Sequence, residues 1–158
     1  MNKNSAGVVI SFPFEEGCLV SYENMHAIVL NNDEYMIDNS PFYVYGISFG
    51  DTVSVVNDKV GKLIFDSVLE RGGHSTYRVK LPINKDHRYF LEMWPKLEKL
   101  GCTFEGTSAD KCRLYAIDVP PGADVNRIYN ILQDAEDNGF WEFEEGHYCP
   151  PESARRVQ

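Results

Sequence analysis

The stretch that decides the fold runs from Thr76 to Gly101 and reads TYRVKLPINKDHRYFLEMWPKLEKLG. Its first six residues alternate polar and apolar side chains and stop at Pro82, as a half-buried strand does. Its later part repeats apolar side chains at helical spacing, namely Phe90, Leu91, Trp94, Leu97 and Leu100. Gly101 is typical of a residue that ends a helix. The stretch therefore predicts a strand and then a helix, which Pro95 kinks or splits in two.

The rest of the second half adds further elements of the same two kinds. Strands are expected over residues 102–105 and 112–119, separated by a turn-rich segment around residues 106–110. A second helix then begins after Asp124, which caps it, and ends at Gly139. A last strand is expected over residues 140–143. The order β-α-β-β-α-β predicts a ferredoxin-like module with two helices on one face of a four-stranded antiparallel sheet.

The first half reads as strands alone. Short apolar runs with β-branched and aromatic residues, separated by polar turns, lie at residues 8–12, 27–30, 35–37, 51–56 and 61–65. This spacing is typical of a small antiparallel barrel or of a strongly bent sheet. We therefore predict an α+β protein in which an N-terminal β-barrel-like module, residues 1–75, packs on a C-terminal ferredoxin-like module, residues 76–146. Residues 147–158 are predicted to form a flexible tail.

Charge is the strongest compositional signal. The 158 residues include 24 acidic and 15 basic side chains, for a net charge of −9. Residues 124–158 hold 8 acids and 3 bases, whereas residues 76–123 hold 6 acids and 8 bases. Such a field repels nucleic acid and anionic membranes and speeds capture by a basic partner. Because the amino terminus also lacks the apolar run of a signal peptide, we expect a cytoplasmic protein.

The acids of the last third form a cluster that we call the acidic cluster. Its members are Asp134, Glu136, Asp137, Glu142, Glu144 and Glu145. Three lie near the carboxyl end of the predicted helix, where the helix dipole disfavours negative charge. Glu142 and Glu144 alternate along one strand and repel each other. The cluster is interpreted either as a solvated face or as a partner-binding surface, with Trp141 and Tyr148 as aromatic anchors.

A second candidate site lies within residues 70–78, which read ERGGHSTYR. An anion could be held here by the side chains of Arg71, His74, Ser75 and Arg78. The histidine could also act as an acid or base, although spacing assigns it no carboxylate partner. Alternatively, Gly72 and Gly73 only turn the chain between the modules, and the neighbouring side chains satisfy backbone groups. The residues leave open both this structural role and the alternative function of a small-molecule-binding protein or enzyme with its site here.

Other chemistries have weaker support. The four histidines share no metal-ligand spacing, and the four cysteines are expected to be buried free thiols: Cys18, Cys102, Cys112 and Cys149. The sequence has no nucleophile elbow, no His-Glu-x-x-His pair and no phosphate-cradling glycine loop. We therefore predict a protein that is not an enzyme and that holds no metal or cofactor.

RNA binding is the remaining alternative. A ferredoxin-like sheet can stack bases on aromatic side chains, and the candidates are Tyr77, Phe104, Tyr115 and Trp141. The acidic surroundings favour a core role for these rings instead. An RNA-binding module remains an alternative because the middle segment is basic. The residues that would bind RNA are Arg78, Lys80, Lys85 and Arg88.

Two stretches carry a family resemblance. Residues 37–53, IDNSPFYVYGISFGDTV, and residues 70–78 resemble a family of short bacterial proteins described as a domain of unknown function. The similarity extends from about Val9 to Gly146 and includes AIDVPP at residues 116–121 and WEFEE at residues 141–145.

Some proteins of this kind resemble immunity proteins encoded beside toxins of contact-dependent growth inhibition systems, including systems with an EndoU-type ribonuclease toxin. The resemblance implies an immunity protein whose partner is a cognate nuclease toxin. An acidic inhibitor can fill the basic groove that a ribonuclease needs for its substrate, and such an inhibitor requires no catalytic residues.

Overall fold

The computed structural model describes residues 7–18, 20–31, 33–106 and 113–151. Within these ranges the chain forms nine strands and two helices, arranged as two sheets in an α+β protein. Cys112, residues 107–110 of the predicted turn and residues 152–158 of the predicted tail lie outside the described residues.

The first sheet contains the strands of the N-terminal half. They are β1 (Gly7–Pro13), β2 (Tyr22–Asn31), β3 (Glu34–Ile37), β4 (Thr52–Asn57) and β5 (Leu63–Glu70). Each strand pairs antiparallel with the next, and β1 also meets β5 through a parallel pair between Ser11 and Ile64. The strand order in this sheet is β1-β2-β3-β4-β5. Side chains such as Ile10, Met25 and Val53 alternate inward and are fully buried.

The second sheet and both helices come from the C-terminal half. The elements are β6 (Ser75–Lys80), α1 (His87–Glu98), β7 (Thr103–Gly106), β8 (Leu114–Val119), α2 (Val125–Asp137) and β9 (Glu142–His147). The strand order is β7-β8-β6-β9, and all neighbours are antiparallel. Within the part of the chain that the structure describes, β9 pairs only with β6 and is an edge strand.

The helix boundaries follow the predicted signals. The carboxylate of Asp86 accepts hydrogen bonds from the first turn of α1, and the Asp124 carboxylate accepts one from Arg127 N at 3.1 Å at the start of α2. Gly101 and Gly139 follow the two helices with φ angles of 95° and 72°. Such left-handed conformations are favourable for glycine and strained for other residues. The caps at Asp124 and the stops at both glycines are thus confirmed.

Pro95 does not split α1. The helix is continuous from His87 to Glu98, so the predicted division into two pieces does not occur. Pro95 itself is exposed, whereas Trp94 and Leu97 beside it are buried. Burial of each of these two side chains stabilises the fold by about 1.5–3 kcal/mol. This gain offsets much of the cost of the backbone hydrogen bond that Pro95 cannot make.

The core of the second sheet is aromatic. Tyr77, Tyr115 and Trp141 are at most 2% exposed, and the rings of Phe90 and Tyr115 stack with centroids 3.8 Å apart. Phe104 is partly buried against the same cluster. The predicted core role of the sheet aromatics is confirmed, since these rings fill the space between the sheet and the helices.

The segment between β3 and β4 joins the two sheets. Thr76 and Arg78 alternate with the core residue Tyr77 on β6 and so lie on the sheet face away from the helices. Ser48 Oγ is 2.6 Å from Thr76 Oγ1, and Gly46 N donates to Gly146 O at 2.9 Å. The segment therefore crosses the helix-free face of the second sheet and packs the two sheets together.

Residues 147–149 remain hydrogen-bonded to the second sheet. His147 belongs to β9, and the Cys149 N–H donates to Ser75 Oγ at 2.8 Å. Cys102 and Cys149 are buried as predicted, but Cys18 is exposed because it follows a surface turn. Among the described residues, neither helix has the length and apolar character needed to cross a membrane.

Candidate functional site

The edge strand β9 carries three acids of the acidic cluster, which the pleat distributes over both faces of the sheet. Glu144 pairs across the strands with Arg78, and Glu142 lies opposite Lys80 on that same face. Glu145 lies on the helix side, where its carboxylate accepts a hydrogen bond from the Tyr77 hydroxyl at 3.0 Å. The acids of β9 therefore flank an open edge rather than covering one flat face.

The end of α2 lies beside this edge. The Glu136 carboxylate accepts a hydrogen bond from Phe143 N at 3.1 Å, which ties the helix to β9. Four exposed acids near this contact make no ion pair within 4.0 Å among the described residues, and we call them the acidic edge: Asp134, Asp137, Glu142 and Glu145. The structure thus brings the helix and strand portions of the acidic cluster side by side.

The two predicted aromatic anchors have different environments. Trp141 is 2% exposed, and its indole N–H donates to Leu132 O at 3.2 Å. A side chain in that position cannot anchor a partner, so the assignment of Trp141 to the binding surface is wrong. The bulky indole is instead used to fill the core beneath α2. Tyr148 is 41% exposed and is accessible to a partner.

Glu144 belongs to a cluster that joins the two sheets. Arg78 is 1% exposed, and its Nε donates to Glu144 Oε1 at 2.6 Å while its Nη1 donates to Val44 O at 2.8 Å. The Arg78 guanidinium carbon lies 4.6 Å from the centre of the Tyr45 ring, and the Tyr45 hydroxyl donates to Glu144. Gly146 makes room for the guanidinium, because a Cβ there would lie 2.8 Å from Arg78 Nη1.

The electrostatics of this cluster favour an ionised Glu144. Burial raises the pKa of the Glu144 carboxyl, but hydrogen bonds from Tyr45 and Arg78 and the charge of Arg78 outweigh it, so the pKa is lowered overall. The same hydrogen bond to Glu144, with some burial, raises the pKa of the Tyr45 hydroxyl. Arg78 is therefore committed to an internal ion pair and is not exposed to an external anion or an RNA phosphate.

Arg71 also has an internal partner. Asp51 is fully buried, and its carboxylate accepts hydrogen bonds from Arg71 Nη1 at 2.9 Å, Gly72 N at 3.0 Å and Ser48 N at 3.0 Å. A buried carboxylate is tolerated only when it is neutralised and hydrogen-bonded in this way. The guanidinium of Arg71 thus ties the chain after β5 to the segment before β4.

His74 has the carboxylate partner that sequence spacing did not reveal. Its Nδ1 lies 2.8 and 2.9 Å from the two Asp118 oxygens, and both side chains are mostly buried. Asp118 is 44 residues away in sequence and reaches the histidine because β8 pairs with β6. Ser75 is 2% exposed and accepts a hydrogen bond from Cys149 N. Ser75 thus satisfies a backbone N–H group, whereas His74 pairs with a side-chain carboxylate rather than with the backbone.

The four residues of the second candidate site do not all line the cleft at the junction of the two sheets. An open cleft of about 690 Å3 lies at the junction of the sheets and is lined in part by Arg71, Ser75 and Cys149. His74 and Arg78 are not part of its lining. In the described ranges, no three His, Cys, Asp or Glu side chains are grouped so that they could hold a metal ion.

Sequence analysis missed the residues that fix the segment before β4. Glu23 is 9% exposed, and its carboxylate accepts hydrogen bonds from the backbone N–H groups of Phe42, Tyr43 and Val44 at 2.7–3.0 Å. The only signal in the sequence was an acid at an inward position of the alternating strand β2. Its partners could not be identified without the fold.

Comparisons with known proteins place the chain in a family. A solved structure titled "Novel crystal structure of a hypothetical protein from Neisseria gonorrhoeae" is similar, with a TM-score of 0.72 at 12% identity. The match covers 93% of this chain and 97% of that chain, and at this identity it shows a shared fold. No curated protein sequence matches. The family described as "Domain of unknown function (DUF4265)" matches residues 23–143, and the chain therefore belongs to that family.

Proposed function

We propose that this protein is a cytoplasmic immunity protein that binds a cognate nuclease toxin of a contact-dependent growth inhibition system. The bound protein would block the toxin's active site or its RNA-binding groove. The observation that carries the proposal is the acidic edge, whose four carboxylates are exposed and have no basic partner among the described residues. Unpaired acids of this kind suit a basic protein surface.

The physics of ribonuclease inhibition supports this assignment. A ribonuclease attracts its substrate with a basic groove, and an acidic protein is attracted by the same field. Complementary charge raises association rate constants from about 10⁵–10⁶ to as much as about 10⁸–10⁹ M⁻¹s⁻¹ at low salt. An immunity protein gains from such a rate because it must capture the toxin before RNA is cleaved. It needs binding residues and no catalytic ones.

The proposal has a direct test in cells and in solution. An immunity protein of this kind is encoded beside its toxin. We would express that toxin with this protein and follow growth together with the association rate constant. The variant Asp137→Lys, Glu142→Lys and Glu145→Lys should lose growth protection and associate at least about tenfold more slowly at low salt. Glu144 is left unchanged because it pairs with Arg78 inside the fold.

A matched control separates local charge from net charge. The triple variant Glu70→Lys, Glu92→Lys and Glu98→Lys changes the net charge equally, at exposed acids that make no ion pair within the described residues. We expect it to protect cells and to associate within about threefold of the unmodified protein. Equal effects of the two triple variants, or no effect of either, would contradict binding through the acidic edge.

The finer fold assignment is also proposed. We infer that the first sheet is a small barrel and that the second sheet with its helices is a ferredoxin-like module. The pair between Ser11 and Ile64 supports the first assignment. The strand order β7-β8-β6-β9 and a single core cluster shared by both helices support the second.

A further inference from the structure

Residues 41–46, which we call the tyrosine segment, have no regular secondary structure but are held on one side by a buried carboxylate. Glu23 accepts hydrogen bonds from Phe42 N at 2.7 Å, Tyr43 N at 3.0 Å and Val44 N at 2.9 Å. Three consecutive backbone donors directed at one carboxylate fix the local backbone conformation, because charge-assisted hydrogen bonds are stronger than neutral ones.

Two arginines and the edge strand hold the other side of the segment. Arg78 Nη1 donates to Val44 O at 2.8 Å, and Arg71 Nη1 donates to Gly46 O at 2.6 Å. Gly46 N donates to Gly146 O on β9 at 2.9 Å. Charged groups of both signs therefore immobilise a segment that contains no helix or strand.

The immobilised segment displays two tyrosines to solvent. Tyr43 is 46% exposed and Tyr45 is 63% exposed. The Tyr45 ring is also held in place by its hydroxyl bond to Glu144 and by its contact with Arg78. Exposed rings contribute little to folding, but rings that are already ordered lose little conformational entropy when a partner covers them. A rigid, exposed tyrosine such as Tyr45 is typical of protein-binding surfaces.

An apolar cleft adjoins Tyr45 on the side of the first sheet. It has a volume of about 340 Å3, and side chains that line it include Phe12, Phe14, Val44, Phe65 and Val68. An open apolar cleft beside an exposed aromatic ring can receive an apolar side chain and exclude water from the contact.

Exposed acids lie beside the cleft and the tyrosine segment. Glu15 and Glu16 directly follow Phe14 in the sequence, are exposed and make no ion pair among the described residues. Glu142 shares a face of β9 with Glu144, which binds Tyr45. The nearby Arg71 is paired with Asp51, so its charge is offset. A basic partner is favoured at this surface.

We propose that the tyrosine segment and its apolar cleft are the central contact for a basic segment of the partner protein. An apolar side chain of that segment enters the cleft, and its lysine or arginine side chains lie against the two tyrosines and the β9 carboxylates. The inference rests on the proposed function for the identity of the partner. It moves the centre of the contact from the acidic cluster to the tyrosines.

Three synthetic peptides probe the chemistry of the contact without the toxin. The first alternates lysine and leucine, the second has serine in place of leucine, and the third has glutamate in place of lysine. We expect the first peptide to bind at least about tenfold more tightly than either of the others, as measured by fluorescence anisotropy. Similar binding of the first two peptides, or no binding of the first, would overturn the apolar cleft contact.

Variants then locate the contact on this chain. Tyr43→Ser removes an exposed ring whose hydroxyl makes no hydrogen bond among the described residues. We expect this variant to bind the peptide of lysine and leucine at least about fivefold more weakly. Tyr45→Phe keeps its ring and should bind within about threefold, whereas Tyr45→Ser should lose at least about tenfold. Leu91→Ser, at a 41% exposed position on α1, is the control and should have no effect.

The toxin encoded beside the gene provides the second arm. If the toxin binds and is inhibited but Tyr43→Ser and Tyr45→Ser bind it normally, the tyrosine contact is wrong and the immunity function stands. If the toxin does not bind while peptide binding depends on both tyrosines, the immunity function is wrong and the basic-segment contact stands. Loss of toxin and peptide binding in both serine variants, with Leu91→Ser unaffected, is the expected result.

Discussion

Replacement of Gly72 by alanine should destabilise the protein by about 3 kcal/mol or more, because the new methyl group would collide with backbone atoms. A Cβ at Gly72 would lie 2.3 Å from Gly50 O and 2.5 Å from Gly50 C. Relief of the clash requires separation of the two chain segments, which also stretches the hydrogen bond from Gly72 N to Asp51. The free energy of unfolding in urea measures the effect.

A glycine without close neighbours provides the control for this substitution. Apart from Gly7 and its chain neighbours, no atom of the described residues lies within 4 Å of the position that a Cβ would occupy at Gly7, at the start of β1. Gly7→Ala should therefore change the free energy of unfolding by no more than about 0.5 kcal/mol. A Gly72→Ala protein as stable as Gly7→Ala would show that the close approach to Gly50 is not a constraint on the fold.

Replacement of Arg78 by methionine should destabilise the protein by about 2–4 kcal/mol. Methionine can fill much of the same space but donates no hydrogen bond to Val44 O or Glu144. The buried Val44 carbonyl then loses its hydrogen-bond donor. Glu144 is 47% exposed and can be solvated, so the expected loss of stability is smaller than for a fully buried ion pair. Urea unfolding again measures the loss.

Lys80 provides the matched control for Arg78, because it lies two residues along the same strand and on the same face. Lys80 is exposed and makes no ion pair among the described residues, so Lys80→Met should change stability by no more than about 0.5 kcal/mol. If Arg78→Met were equally mild, the Arg78 cluster would not be what joins the two sheets.

The sequence was informative wherever short-range signals determine structure. Alternation and helical periodicity located the strands and helices, and Asp124, Gly101 and Gly139 marked helix ends because capping and left-handed turns depend on neighbouring residues. The last strand was the least well placed. It was expected over 140–143 and runs from Glu142 to His147, because Gly139 and Phe140 belong to the turn that leaves α2.

The candidate site depended on contacts that no local pattern encodes. Tyr45 and Glu144 are 99 residues apart, and Asp118 meets His74 across 44 residues. The arginines at residues 71 and 78 resembled ligand-binding groups, but the fold supplies each with an internal acid. Trp141 was misassigned because its strand alternates with acids, and alternation does not reveal which face is covered by α2.

The exposure of the tyrosine segment could not be predicted from the sequence either. Its sequence, PFYVYG, falls within the stretch that carries the family resemblance, yet nothing in it shows that Tyr43 and Tyr45 are exposed. Exposure follows from the way Glu23 and Arg78 hold the backbone, and both residues come from other strands. Because aromatic residues are more often buried than exposed, the sequence alone favours burial of these two tyrosines.

We claim that a basic toxin binds along the β9 edge and covers the tyrosine segment. Hydroxyl-radical footprinting of this protein, alone and with its toxin, measures the exposure of the individual side chains that would be covered. We predict that Tyr43, Tyr45 and Tyr148 lose most of their labelling in the complex, while the exposed Leu30 and Leu91 keep theirs. Unchanged labelling of the three tyrosines in a formed complex would contradict the claim.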